Sequence, residues 1–251
     1  MKRIIPLAAL IVAFCSCEAD GVEAPEYGYA DPKQWELSWT DDFDYAGRDQ
    51  LLQNWNSAKG PTSHTLSSRW PENVEVSDGT LRLINRKESR GGQDWTSGSI
   101  WTKRYFKYGY FECRYRYAAA TGTNNSFWLS VLTGEPDEGK RFELDINEGH
   151  YPSEINVNIH NWTDSTVDEK QFVFYLDGKE IRRSPNEFAF SPASLLLSEA
   201  ILPWAGEVTD AIDGTFMEVD FVYWLTMYFT FSTRNNSIYI NNVSFYFVRY
   251  I

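Results

Sequence analysis

From Trp35 to Tyr223, apolar residues recur at every second position in short runs, and turn residues break the runs at close intervals. Trp35-Glu36-Leu37-Ser38-Trp39 alternates as a half-buried strand does, and Asp41-Asp42-Phe43 follows as a turn. Asn73 to Val76, the turn Ser77-Asp78-Gly79 and Thr80 to Ile84 make a hairpin pattern. Strand patterns continue over Thr96 to Thr102, Tyr108 to Tyr117, Ser126 to Leu132, Glu154 to Trp162, Phe172 to Leu176, Ser194 to Leu202 and Phe216 to Tyr223. Asp177-Gly178 marks a second hairpin turn. No helix-length stretch carries a helical apolar period, and no segment repeats. Many short strands at close spacing predict an all-β fold, an antiparallel β-sandwich.

One strand pattern is unusual. Between Lys140 and His150 three carboxylates, Glu143, Asp145 and Glu148, are interleaved with Leu144 and Ile146. Side chains alternate faces along a strand, so Glu143 and Asp145 share a face opposite Leu144 and Ile146. Glu148 falls on the wrong face of a regular strand, and one β-bulge between Asp145 and Glu148 would bring all three acids together. Three acids on one sheet face repel one another, which points to chemistry rather than to structure. A solvated acidic edge strand and a calcium site are the competing readings, but the acids follow the apolar Phe127-Trp128-Leu129 and lack the loop composition that wraps calcium.

The chain has 251 residues, enough for a full sandwich core in one domain, and a net charge of −12. That charge excludes nucleic acid and an anionic membrane surface as partners and disfavours a sulfated polyanion. Lys2-Arg3, the short apolar run Ile4 to Phe14 and a small residue before Cys17 resemble a bacterial lipoprotein signal. The expectation is cleavage after Ser16, acylation of Cys17, and a chain lipid-anchored to the outer membrane at its cell-surface or periplasmic face; ordinary secretion is the alternative. The predicted divisions are a signal peptide over 1–16, an acidic tether over 17–34, a β-sandwich over 35–223 and an atypical aromatic tail over 224–251. Cys113 is then the one cysteine of the sandwich and is expected to be a small buried hydrophobe.

Several segments together resemble glycoside hydrolase family 16. They are Trp39 to Phe43, Ser77 to Leu81, Thr96 to Ile100, Tyr108 to Arg114, Ser126 to Leu129, Phe142 to Glu148, Tyr175 to Gly178 and Met217 to Val222. The resemblance implies a concanavalin A-like jelly roll and a monomeric retaining endo-β-glycosidase that hydrolyses internal β-linkages of a polysaccharide, of β-glucan or galactan type. It implies Glu143 as nucleophile, Glu148 as general acid/base and Asp145 as the residue that tunes the nucleophile. Retaining hydrolysis needs two carboxyls about 5–5.5 Å apart, one ionised and one protonated, and crowding should separate their pKa values. No cofactor is required; a structural calcium of the kind many members carry would draw on Asp41, Asp42 and Asp220.

Sugar binding calls for aromatic faces and polar partners along a groove. Trp128, Trp101 and Trp95 lie on segments leading to the acids, with Trp128 favoured as the platform near the cleaved bond. Asn125, His150, His160 and Trp162 are expected polar and stacking contacts, His160 as a substrate contact or acid partner. Three departures from the family pattern stand out. Ser99 occupies the place where many laminarin-cleaving members have Arg, which argues against a plain β-1,3-glucan preference. The segment Thr163 to Gln171 is short, which predicts a missing strand and a gap in the cleft-side sheet. The tail from Trp224 to Ile251 is either added strands or an aberrant end. A non-catalytic or truncated carbohydrate-binding surface lipoprotein on the same fold is therefore the alternative function.

Overall fold

A computed structural model of the chain describes residues 35–132, 141–162, 170–177, 179–186, 191–227 and 243–250. The expected signal peptide, acylated Cys17 and tether lie outside the described residues, as do most of the shortened segment and the tail residues 228–242 and 251.

The outer sheet contains β1 (Trp35–Asp41), β4 (Val74–Ser77), β5 (Thr80–Ile84), β8 (Tyr110–Arg116), β12 (Lys170–Leu176), β13 (Lys179–Asn186), β15 (Phe216–Met227) and β16 (Val243–Tyr250). The inner sheet contains β2 (Trp55–Ser57), β7 (Ser99–Phe106), β9 (Thr123–Ser130), β10 (Phe142–His150), β11 (Glu154–Asn161) and β14 (Ala193–Ile201). The outer order is β13-β12-β16-β8-β15-β5-β4 with β1 also on β15, and the inner order is β11-β10-β9-β14-β7-β2. A small parallel pair, β3 (Ser67–Arg69) and β6 (Trp95–Ser97), lies beside them. The sandwich is antiparallel except at β16, which runs parallel to both β8 and β12. One short helix, α1 (Arg48–Asn54), was not legible in the apolar pattern because it is only two turns long and buries only Leu51.

The predicted alternation is what packs the two layers. Phe127 and Leu129 of β9, Leu144 of β10, and Leu195 and Leu197 of β14 meet Leu81 and Leu83, Phe111 and Tyr115, and Val219 and Val222 from the outer sheet. Cys113 is buried in the same core as a free thiol. The β4–β5 hairpin turns through Asp78 at φ 54° and Gly79 at φ 70°, the left-handed pair that a two-residue turn needs.

Among the described residues the cleft-side sheet shows no gap between paired strands. The shortened segment leads into β12, which belongs to the outer sheet, so the inner sheet runs unbroken from β11 to β2. In the outer sheet β16, from the tail, lies between β12 and β8 and satisfies the backbone edges of both.

Candidate active site

The acids lie on β10, the second strand of the inner sheet. Glu143 is opposite Ser130 and His160, and Asp145 is opposite Trp128 and Asn158. The register then shifts, between Asp145 and Glu148 toward β11 and between Asp145 and Asn147 toward β9. Beyond the shift Glu148 is opposite Ser126 and Asn156. Leu144 and Ile146 enter the core. Asn147 also points inward, where its Nδ2 donates to the hydroxyls of Tyr115 and Tyr117. The extra inward residue leaves Glu143, Asp145 and Glu148 together on the outward face.

His160 Nε2 lies 3.2 Å from Asp145 Oδ2. Ligand atoms of Glu143, Asp145 and His160 all lie within 4.8 Å of one another. Glu148 is gripped from both sides: Asn124 Nδ2 donates to its Oε1 at 2.9 Å and Asn158 Nδ2 to its Oε2 at 2.8 Å. Asn156 Nδ2 donates to the Glu148 carbonyl at 3.2 Å. Burial, then Glu148 and Glu143, push Asp145 up to about 8, against the hydrogen bond from Asn158. Burial also raises Glu143 above the ordinary carboxylate range, opposed by His160 and reinforced by Glu148. Burial first, with crowding added to it, acts most on the middle acid. At neutral pH Asp145 therefore holds a proton beside Glu143.

Cross-strand register extends the site across the sheet. Asn158, Asp145, Trp128, Leu196, Trp101 and Asn56 form one row over six strands. A second row runs Glu148, Ser126, Ser198, Ser99. Trp128 Nε1 donates to Ser198 Oγ at 3.1 Å, which ties the two rows together. Ser99 thus extends a floor of small hydroxyls on the Glu148 side, and its own Oγ accepts from Arg69 at 3.4 Å. At one end of β11, His160 stacks flat on Trp162, with centroids 5.3 Å apart and planes 6° apart; Trp162 is 58% exposed.

Trp128, Trp101, His160 and Trp162 are thus brought to the acid face or its rim, and His150 lies two residues past Glu148. Two expectations are corrected. Trp95 is buried in a separate apolar cluster with Ala120, Ile201 and Ile212, so it offers no face to a groove. Asn125 is fully buried on the core side, where it accepts from Ala118 N at 2.7 Å and donates to Gly149 O at 3.0 Å. Its neighbour Asn124 takes the outward position. Asn124, Asn156, Asn158 and the 61% exposed Trp204 were missed. The two on β11 were legible, since Asn156, Asn158 and His160 alternate and must share a face. The choice between Asn124 and Asn125 needed the register.

Asp41 and Asp220, two of the three acids expected for calcium, make contacts with other protein groups. Asp41 accepts from Phe43 N at 2.9 Å, Tyr45 Oη at 2.6 Å and Trp55 Nε1 at 2.7 Å, and Asp220 pairs with Arg114 at 2.9 Å.

Residues 62–173 match the model of Glycosyl hydrolases family 16. A beta-glucanase of Acetivibrio thermocellus is 25% identical over 184 residues, 62% of this chain and 52% of that protein. A beta-glucanase of Rhodothermus marinus is 31% identical over 143 residues, 50% of this chain and 48% of that protein. The chain thus spans about half the length of the curated relatives it matches. Among solved structures, a non-specific endo-beta-1,3(4)-glucanase from family GH16 superposes with a TM-score of 0.65 at 26% identity, over 83% of this chain and 98% of that one.

Proposed function

We propose that the chain, whose residues 62–173 match the model of Glycosyl hydrolases family 16, is a retaining endo-β-glycosidase of that family that cleaves internal linkages of a neutral β-glucan. The observation that carries the reading is the register shift on β10, which leaves Glu143, Asp145 and Glu148 on one face beside Trp128. The beta-glucanase relatives support a glucan, and the net charge of −12 weighs against sulfated chains.

In this mechanism Glu143 attacks the anomeric carbon while Glu148 gives its proton to the departing glycosidic oxygen. The glycosyl ester on Glu143 is then hydrolysed by a water that Glu148 deprotonates, which returns the proton to Glu148. Protonated Asp145 lies between them, placed to donate a hydrogen bond to Glu143 and steady its charge before attack and on release. His160 fixes the far oxygen of Asp145, and Asn124 and Asn158 hold the Glu148 carboxylate in position. A polysaccharide laid across the strands along the Trp128–Trp101 row would meet one aromatic face at the cleaved unit and another two strands away. The Glu143, Asp145 and His160 donors could also hold a divalent cation, but no step in this mechanism uses one.

The test is release of reducing ends from laminarin, mixed-linkage β-glucan, agar and carrageenan, with proton NMR of the first-formed anomer. Retention of configuration on a β-glucan is the expected result. Glu143→Gln and Glu148→Gln should each lower kcat by roughly 10²–10⁴-fold while polysaccharide binding persists. Undiminished hydrolysis in both variants overturns the assignment; binding without cleavage by the wild-type chain makes it a carbohydrate-binding protein instead.

We also propose that the chain is exported and held at the outer membrane through acylated Cys17. The basic, apolar and small-residue pattern before that residue supports this. Cys17→Ala should abolish incorporation of labelled fatty acid and release the protein into the soluble fraction.

A further inference from the structure

Glu143, Asp145 and His160 carry a second chemistry. Glu143 and His160 are direct cross-strand partners on β10 and β11, and Asp145 stands two residues along the same face. One donor atom from each lies within 4.8 Å of the others, and among the described residues no other trio of acid, histidine or cysteine side chains is so placed. The set combines an imidazole nitrogen with two carboxylates.

Carboxylates crowded on one sheet face repel one another, and a divalent charge among them turns that repulsion into attraction. The donor types select which cation. Calcium takes about six to eight oxygens and magnesium an octahedron of them, whereas imidazole beside carboxylate suits zinc. Zinc binds such donors at about 2.0–2.1 Å in a tetrahedron, so neighbouring donors stand about 3.3 Å apart. His160 Nε2 and Asp145 Oδ2 already stand 3.2 Å apart. Glu143 is partly exposed and has the longer side chain, which leaves it free to close on them. The His160 ring is stacked on Trp162 and so is held in place for ligation. The side chain of Asp145 is 5% exposed and that of His160 40%, so Asp145 forms the floor and the cation enters from the cleft.

We propose that Glu143, Asp145 and His160 form a zinc site that blocks the cleft when occupied. Coordination takes both acids as carboxylates, so the proton on Asp145 passes to solvent as the cation enters. Glu143 bound to zinc is drawn away from an anomeric carbon, and the ion with its water fills the space of the sugar. Zinc and polysaccharide therefore exclude each other. The inhibition rests on the reading of Glu143 as nucleophile, whereas the binding rests on donor geometry alone.

Isothermal titration of the full chain with zinc chloride reads the binding without reference to activity. One zinc per chain is expected. His160→Gln and Glu143→Gln should each weaken it at least about tenfold, the low end of what disturbing even the residues behind a metal's ligands costs. His64→Gln, at an exposed histidine elsewhere, should leave it unchanged. On a β-glucan, zinc should raise KM and leave kcat as it was, and EDTA should restore the original KM. No saturable binding, or binding that both variants retain in full, overturns the site whatever the activity. Cleavage that zinc inhibits without raising KM overturns the mutual exclusion. Zinc bound as expected by a chain that cleaves nothing leaves the site standing and removes the enzymatic reading instead. Should a variant melt early, Cu2+ on the wild type decides: zinc-displaceable copper with the electron-spin signature of one coordinated imidazole supports the site, and its absence overturns it.

Discussion

Asp145 is the residue on which the electrostatics of the cleft turn. In the unfolded chain its carboxyl ionises near 4, and in the fold near 8. Between those values the unfolded state releases a proton that the folded state keeps, so stability falls as pH rises from about 4 to about 8 and levels off above. Below about 4 both states are protonated and the penalty vanishes. Asp145→Asn, which cannot ionise, should therefore melt a few degrees higher than the wild type at pH 7, with the difference disappearing toward pH 4, as thermal unfolding across pH would show. The same substitution should lower activity, because an amide N–H is a weaker donor to the Glu143 carboxylate than the carboxylic acid proton. Wild-type kcat should decline on the alkaline side near pH 8, as Asp145 ionises beside Glu143, and the variant should lose that limb. Residue identity alone announced a crowded cluster; that the middle acid bears the largest rise depended on its burial.

At the scale of the strand, β10 works because it carries one residue more than a regular pairing allows. Asn147 spends that residue inward on the Tyr115 and Tyr117 hydroxyls, and Gly149 follows it to the same side. A Cβ on Gly149 would lie 2.1 Å from the Tyr117 ring, itself buried between the layers. Gly149→Ala should thus force β10 away from β8, at a cost of about 1–3 kcal/mol or more. It should also displace the adjoining Glu148, so that a lower melting temperature and a lower kcat appear together. The bulge was legible from the positions of Glu143, Asp145 and Glu148. Its inward anchor was not, because Asn147 and Gly149 gain their meaning from Tyr115 and Tyr117 on another sheet. For the same reason β9 read as polar at both Asn124 and Asn125, and only its pairing with β10 assigned one to the cleft and the other to the core.

For the whole molecule the decisive strand is β16. Among the described residues the β12–β13 hairpin meets the rest of the outer sheet through β16, so residues 243–250 link it to β8 and the sandwich. The hairpin in turn supports the cleft: Phe172 and Phe174 belong to the main core, and Arg182 donates to the carbonyl of Val157 on β11, the strand of Asn156, Asn158 and His160. Deleting residues 243–250 should open the edges of β8 and β12. Limited proteolysis should then cut within the hairpin, size-exclusion chromatography should show association, and activity should fall with them. The sequence by itself determined the strands, their inward and outward faces and the acid cluster, because period-two alternation and turn residues are local signals. What only the tertiary structure decided was pairing: that the tail completes the outer sheet, that the cleft sheet is unbroken, and that Trp95 and Asn125 turn inward. Strand neighbours are chosen by backbone hydrogen bonds between distant segments, and no short stretch of chain carries that information.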